Sequence, residues 1–350
     1  MATPTPKGTI VVTGANGGLG SAIVARVVST PDLAAYHGIY TVRDPSSAVI
    51  PALQSSSSSN HAHDIVALDL AKLSSVRAAA AALNERVAAG EIPPIRALVL
   101  NAGYQEMDAQ RMTEDGFTMT FEVNYLSQWL LALLLLQSMD KEVGRIVVVG
   151  SLAHDPYAKQ NEIPYKKFSK TTIETDTIDP IAKGTWSTYE EDPSWESGMR
   201  RYGAAKLFEV MMIGELQRRL DTDPALSKLS ILGVDPGTMP TNIARRSPWF
   251  IRILMFQLIF PLVARVATWR NPTGNPTYRT PDKSAADVLS AAMDNNPVLG
   301  ERPKGLYLNG SEVCDMSAEA KDAKKRELVW RDSVRYAGLK EGETVLVNWR

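Results

Sequence analysis

Two strings in this chain carry residue types that can do chemistry. In Tyr202-Gly203-Ala204-Ala205-Lys206 a phenol stands four positions before an ammonium. Residues four apart share a helix face, so Lys206 stays beside Tyr202. A free phenol has a pKa of about 10 and is a poor base near neutrality. A neighbouring positive charge stabilises the phenolate and lowers that value. The other string, Thr13-Gly14-Ala15-Asn16-Gly17-Gly18-Leu19-Gly20, lies between an apolar run and a helix-patterned stretch. Glycine lets a backbone turn tightly and approach a ligand closely. The helix start beyond it offers free N–H groups and partial positive charge to phosphate. A phosphate cradle and a proton-exchanging phenol in one chain point to hydride transfer with a nicotinamide dinucleotide.

Elements must bring these strings together. Apolar runs at residues 9–13, 39–42, 65–68, 97–100, 145–149, 229–234 and 306–308 have the continuous Val/Ile/Leu character of parallel strands buried on both faces. Helix-patterned segments lie between them at 21–28, 73–88, 118–139 and 202–220. The alternation predicts an α/β fold: a doubly wound, mostly parallel seven-stranded sheet of Rossmann type with helices on both faces. Residues 1–350 read as one such domain. A formal net charge of −1 provides no global field that would select nucleic acid or an anionic membrane. The single cysteine, Cys314, excludes an internal disulfide and fits a reducing compartment. The first residues lack the pattern of a secretory signal, so a cytoplasmic setting is expected. His61 and His63 follow a serine run, with no cysteine or carboxylate pair to complete a ligand set. They read as exposed loop residues, and no metal is expected.

Arg43 stands at the end of the second run, followed by Asp44. An acidic residue there takes the ribose hydroxyls of NAD, whereas arginine accommodates a 2′-phosphate. With arginine first, the pattern favours NADP(H) over NAD(H). Further on, Asp69-Leu70, Asn101-Ala102-Gly103, Asn124, Ser151, the Tyr202/Lys206 pair and Pro236-Gly237-Thr238 follow one another in order. With the glycine string, this ordered set resembles the short-chain dehydrogenase/reductase family over roughly residues 8–242. Ser151-Leu152-Ala153-His154 and the closing segment 328–339 are similar to its retinol-dehydrogenase-like branch, and the apolar block after Thr241 to fungal 3-ketosteroid reductases. A second Tyr-x-x-x-Lys, at Tyr336 and Lys340, lacks the upstream serine and the downstream Pro-Gly.

The resemblance implies roles. Tyr202 would protonate a carbonyl oxygen that Ser151 orients, and Lys206 would also hold the nicotinamide ribose. Asn124 would position a water linking Lys206 to solvent. Cofactor contacts would come from Gly14, Asn16, Gly18, Leu19 and Gly20, from Arg43, from Asp69 and Leu70, and from Asn101, Ala102 and Gly103. Pro236, Gly237, Met239 and Thr241 would hold the nicotinamide end beside Tyr202 and Lys206.

Two segments leave the carboxyl ends of strands, where open α/β sheets bind ligands. Residues 155–200, an insertion between Ser151 and Tyr202, form either a wall of the substrate pocket or a surface loop. Residues 243–275 are apolar at 249–269, but Arg252, Pro261 and Arg265 divide that stretch, so it is a poor bilayer span. A lid over the substrate, a peripheral membrane contact, and core or oligomer surface are the readings left. The first two expect a lipophilic substrate. Residues 317–339 read as a charged terminal helix, and the resemblance places a homodimer contact on helices 118–139 and 202–220. The expected activity is NADPH-dependent, reversible reduction of a ketone or aldehyde on a bulky lipophilic molecule: a sterol, retinoid, polyketide or other secondary metabolite. A non-redox isomerase or cyclase, and a cofactor-sensing regulator, are the alternatives.

Overall fold

The apolar runs become the strands of one sheet. In the computed structural model, which describes residues 6–54, 61–241, 258–294, 299–300 and 302–350, these are β1 (Thr9–Val12), β2 (His37–Val42), β3 (His63–Ala67), β4 (Ile95–Leu100), β5 (Arg145–Val149), β6 (Ser230–Asp235), β7 (Tyr307–Asn309) and β8 (Glu312–Cys314). Their order is β3-β2-β1-β4-β5-β6-β7-β8. The first seven run parallel and β8 antiparallel to β7. The sheet is therefore eight-stranded rather than seven-stranded. The extra strand has three residues, two of them exposed, too short and too wet to form an apolar run. It returns through a tight turn in which Gly310 takes φ +63°.

Among the described residues there are seven helices of nine residues or more: α1 (Gly18–Ser29), α2 (Leu73–Ala88), α3 (Ser127–Leu135), α4 (Trp195–Thr222), α5 (Phe260–Arg270), α6 (Pro281–Met293) and α7 (Ala323–Ala337). Side chains alternate across a strand. Ile146 and Val148 of β5 accordingly join a core with α2, α3, α4 and α7, while Val147 and Val149 join one with α1 and α6. Both faces of the central strands are covered, which is why those strands read as unbroken apolar runs.

The segment expected as helix 118–139 is interrupted. A short α-turn (Met119–Phe121) passes into a π-helical turn (Glu122–Leu126) before α3 begins. Met119–Ser138 is long and apolar enough to cross a membrane, but 94% of its apolar window is buried inside the protein. It is a core element. The helix carrying Tyr202 starts early, at Trp195, so Tyr202 lies about two turns inside it. Near the end of the chain, Asp322 caps α7 and left-handed Gly338 ends it. The α7 side chain Trp330 meets Trp129 of α3 edge-on with ring centroids 5.2 Å apart.

The insertion 155–200 is tied down by buried charge. Arg200 donates to Asp192, to Ser187 Oγ and to the Pro164 carbonyl. Asp332 of α7 accepts from Thr177 Oγ1 and Ile178 N. His61 is buried, not exposed, because Tyr40 Oη lies 2.8 Å from its Nε2. His63 opens β3 with its ring stacked on that of His61. No group of three or more His, Cys, Asp or Glu residues is placed to hold a metal among the described residues. Of the segment 243–275, residues 243–257 lie outside the described residues.

Candidate active site

The strand order reverses between β1 and β4, the place where open α/β sheets part to form a crevice. Thr13 ties the two strand ends together, its hydroxyl accepting from Asn101 N and Ala102 N at 2.9 Å each. Gln128 of α3 adds a bond from Nε2 to the Ala102 carbonyl at 2.9 Å. A cavity of about 820 Å³ opens beside this junction.

One end of the cavity is main chain. Gly14 takes φ +64°, and a Cβ on Gly20 would lie 2.2 Å from the Gly14 carbonyl oxygen. The loop closes only with glycine at these positions. Behind it α1 opens at Gly18 with Gly17 as N-cap and no side-chain capping bond. The first-turn N–H groups are thus left to a ligand, and a dinucleotide pyrophosphate fits this helix start. Arg43 lies at the same end, its Nε 3.7 Å from Asp69 Oδ1. Asp44 is occupied: the Ser46 and Ser47 hydroxyls donate to its carboxylate and hold its pKa below the usual range.

The other end is built from side chains. Ser151 follows β5 and begins a single 3₁₀ turn, its Oγ accepting from Ala153 N at 3.1 Å. The Ser151 side chain faces the Tyr202 phenol and favours its ionised form. Lys206 Nζ sits 5.6 Å from the centre of the Tyr202 ring. That ammonium donates to the Val149 carbonyl at 3.0 Å and to both carboxylate oxygens of Glu209 at 2.9 and 2.8 Å. Burial pushes the Tyr202 phenol above its ordinary pKa, the Lys206 ammonium pulls it down, and the Glu209 carboxylate pushes it up again. Burial likewise pushes the Glu209 carboxyl up to about 7, with Lys206 opposing.

Ser151 and every residue expected to contact the cofactor line this one cavity. Asn124 does not. It is buried in the π-helical turn, where its amide donates to the Tyr104 and Thr120 carbonyls and its Oδ1 accepts from Tyr104 N. Its carboxamide is consumed in fixing the chain after β4. The insertion supplies wall: Gln160, Asn161, Trp195 and Met199 line the cavity, with Met107 across from them. Trp195, Met199, Tyr202 and Lys206 recur at helical spacing along one face of α4.

A family model described as short chain dehydrogenase matches residues 8–166. A short-chain dehydrogenase of Talaromyces variabilis, iccH, is 47% identical over 368 residues, spanning 98% of this chain and 99% of its own. The chain belongs to the short-chain dehydrogenase family. Within this oxidoreductase family, polyprenol dehydrogenase of Mus musculus is 27% identical, over 99% of this chain and 88% of its own length. The fold recurs in the NADPH-bound carbonyl reductase from chicken fatty liver, with a TM-score of 0.56 at 17% identity over 89% of this chain and 100% of that one. It recurs too in the landomycin C-6 ketoreductase LanV, solved with NADP and rabelomycin, with a TM-score of 0.55 at 16% identity over 88% and 96%.

Two residues of this short-chain dehydrogenase site escaped the sequence reading. Gln128 is a polar interruption in an otherwise leucine-rich run. Glu209 is a charge three positions after Lys206 among Leu207, Phe208, Val210 and Met211. A polar side chain inside an apolar helix stretch was the signal in both cases, because buried polar groups require partners.

Proposed function

We propose that this protein is an NADPH-dependent reductase of a ketone or aldehyde on a bulky lipophilic molecule, oxidising the corresponding alcohol in reverse. The observation that carries the reading is the continuity of one cavity from the uncapped start of α1 to Ser151, Tyr202 and the Trp195–Met199 wall. Bound there, the nicotinamide supplies the hydride that adds to the carbonyl carbon. Ser151 orients the carbonyl oxygen, and the Tyr202 O–H bond breaks as its proton passes to that oxygen. Lys206 bears the positive charge beside the phenolate left behind. Gly14, Asn16, Gly18, Leu19 and Gly20 hold the pyrophosphate end, and Pro236, Gly237, Met239 and Thr241 the nicotinamide end.

The preference for NADPH rests on the contrast between Arg43 and Asp44. Arg43 lies against the cavity more than half exposed, with Asp69 as a distant partner, and a planar guanidinium suits a phosphate. Asp44, the residue that would select ribose hydroxyls, is held by two serines. A lipophilic substrate is supported by Trp195, Met199 and Met107 on the wall. It is supported also by α5, whose first residue, Phe260, packs on Tyr278 beside the cavity-lining Thr277. The same helix leaves Leu262, Val266 and Trp269 exposed, an apolar face suited to a peripheral membrane contact.

The test is a panel of lipophilic carbonyl compounds (sterol ketones, retinaldehydes and aromatic polyketide ketones) with NADPH and NADH side by side. Loss of reduced-nicotinamide absorbance equal to the alcohol formed, faster with NADPH, is the expected result. A product formed without cofactor oxidation would instead assign an isomerase or cyclase.

A further inference from the structure

Glu209 has no role in the chemistry described so far, yet it is the nearest charged group to Lys206. The pair is buried, with Lys206 4% and Glu209 2% exposed and only Lys206 lining the cavity. All three ammonium hydrogens have acceptors in this arrangement: Val149 O and the two Glu209 oxygens. Glu209 itself does not line the cavity, so it can act only through its neighbour. The other titratable groups facing the pair are Tyr202 on the same helix, Asp235 at the end of β6 and Tyr307 on β7. His154 lies edge-on to the Tyr307 ring at 5.0 Å, and Cys314 bears on Tyr307 from β8.

We propose that Glu209 is a positioning residue for Lys206, fixing the ammonium under Tyr202 and offsetting its charge so that the phenol keeps its proton until a substrate oxygen takes it. The argument is electrostatic. A lone ammonium beside a phenol draws the proton off, whereas an ammonium closed by a carboxylate at 2.8 Å pulls on it less strongly. In a buried site little water screens that difference. Tyr202, Lys206 and Glu209 then titrate as one unit, and removing the negative charge lets the phenol lose its proton at lower pH. Such a site favours the protonated phenol that carbonyl reduction consumes. The inference builds on the proposed function, but its test needs neither cofactor nor substrate.

The measurement is the ultraviolet tyrosinate titration of the cofactor-free protein, with the Tyr202→Phe titration subtracted to isolate Tyr202. Glu209→Gln, subtracted in the same way with its own Tyr202→Phe double variant, should form the phenolate about one pH unit or more below wild type. Glu209→Asp keeps the charge at shorter reach and should fall between the two. It carries the test alone if Glu209→Gln does not fold. With phenanthrenequinone and NADPH, the alkaline fall in kcat/KM should move down with the phenol. Titrations of wild type and the Glu209 variants that superpose would overturn the proposal while leaving the oxidoreductase reading intact. Failure of every carbonyl compound to oxidise NADPH would overturn the proposed function and leave the titration readable.

Discussion

From Gly14 to Gly20 the site is shaped by main chain, whereas from Ser151 to Lys206 it is shaped by side chains, with Glu209 bonded to Lys206 behind the wall. The first region is defined by geometry: a left-handed glycine, a close backbone crossing and an uncapped helix start, with Arg43 as its exposed cation. The second works by charge held out of water, with Tyr202, Lys206 and Glu209 all buried. The lesson is that an exposed binding residue can be lost at modest cost. A reacting group has no substitute, because no neighbouring side chain can supply its proton at the same place.

Substitutions can break this comparison at either end. Tyr202→Phe should have the largest effect, lowering kcat by about 10³-fold while NADPH still quenches tryptophan fluorescence on binding. Retained turnover would remove Tyr202 as proton donor. Arg43→Ala should raise KM for NADPH by about tenfold, the worth of one charge-assisted contact, and leave KM for NADH nearly unchanged. Equal effects on both cofactors would show that Arg43 does not read the 2′-phosphate. Trp195→Ala should have the smallest effect, raising KM for a lipophilic ketone by about fivefold, on the order of 1 kcal/mol of lost apolar contact. A small water-soluble aldehyde should be insensitive to it. If that aldehyde suffers equally, the insertion is supporting the fold rather than lining the substrate site.

The same contrast decides what could be read in advance. Strands β1, β2 and β4 to β7 were legible because burial leaves apolar runs, the half-exposed edge strand β3 through its short Ile65-Val66-Ala67 core, and the glycine loop because its geometry excludes other residues. β8 carried a weaker sign, the Gly310-Ser311 pair that suits a two-residue hairpin turn. Its three half-exposed residues gave no periodicity to confirm it. The spacing of Tyr202 and Lys206 was visible, but the third member of their cluster was not. A glutamate three residues from a lysine on a helix is ordinarily a surface ion pair, and only tertiary packing buries this one. His61 misled for a related reason: a polar residue beside a serine run looks solvent-exposed until Tyr40 is seen to bond with it. Asn124 was found as a sequence mark, but the π-helical turn that points its carboxamide into the backbone leaves no trace in periodicity.

The terminal helix α7 carries one more consequence. It lies across α3 and α4, with Trp330 against Trp129, Ser333 bonded to Tyr125 and the Arg219 guanidinium over the Trp330 indole. Peeling it away would wet two indoles that are at most 1% accessible, so the end of the chain helps to hold in place the helix that carries Tyr202 and Lys206.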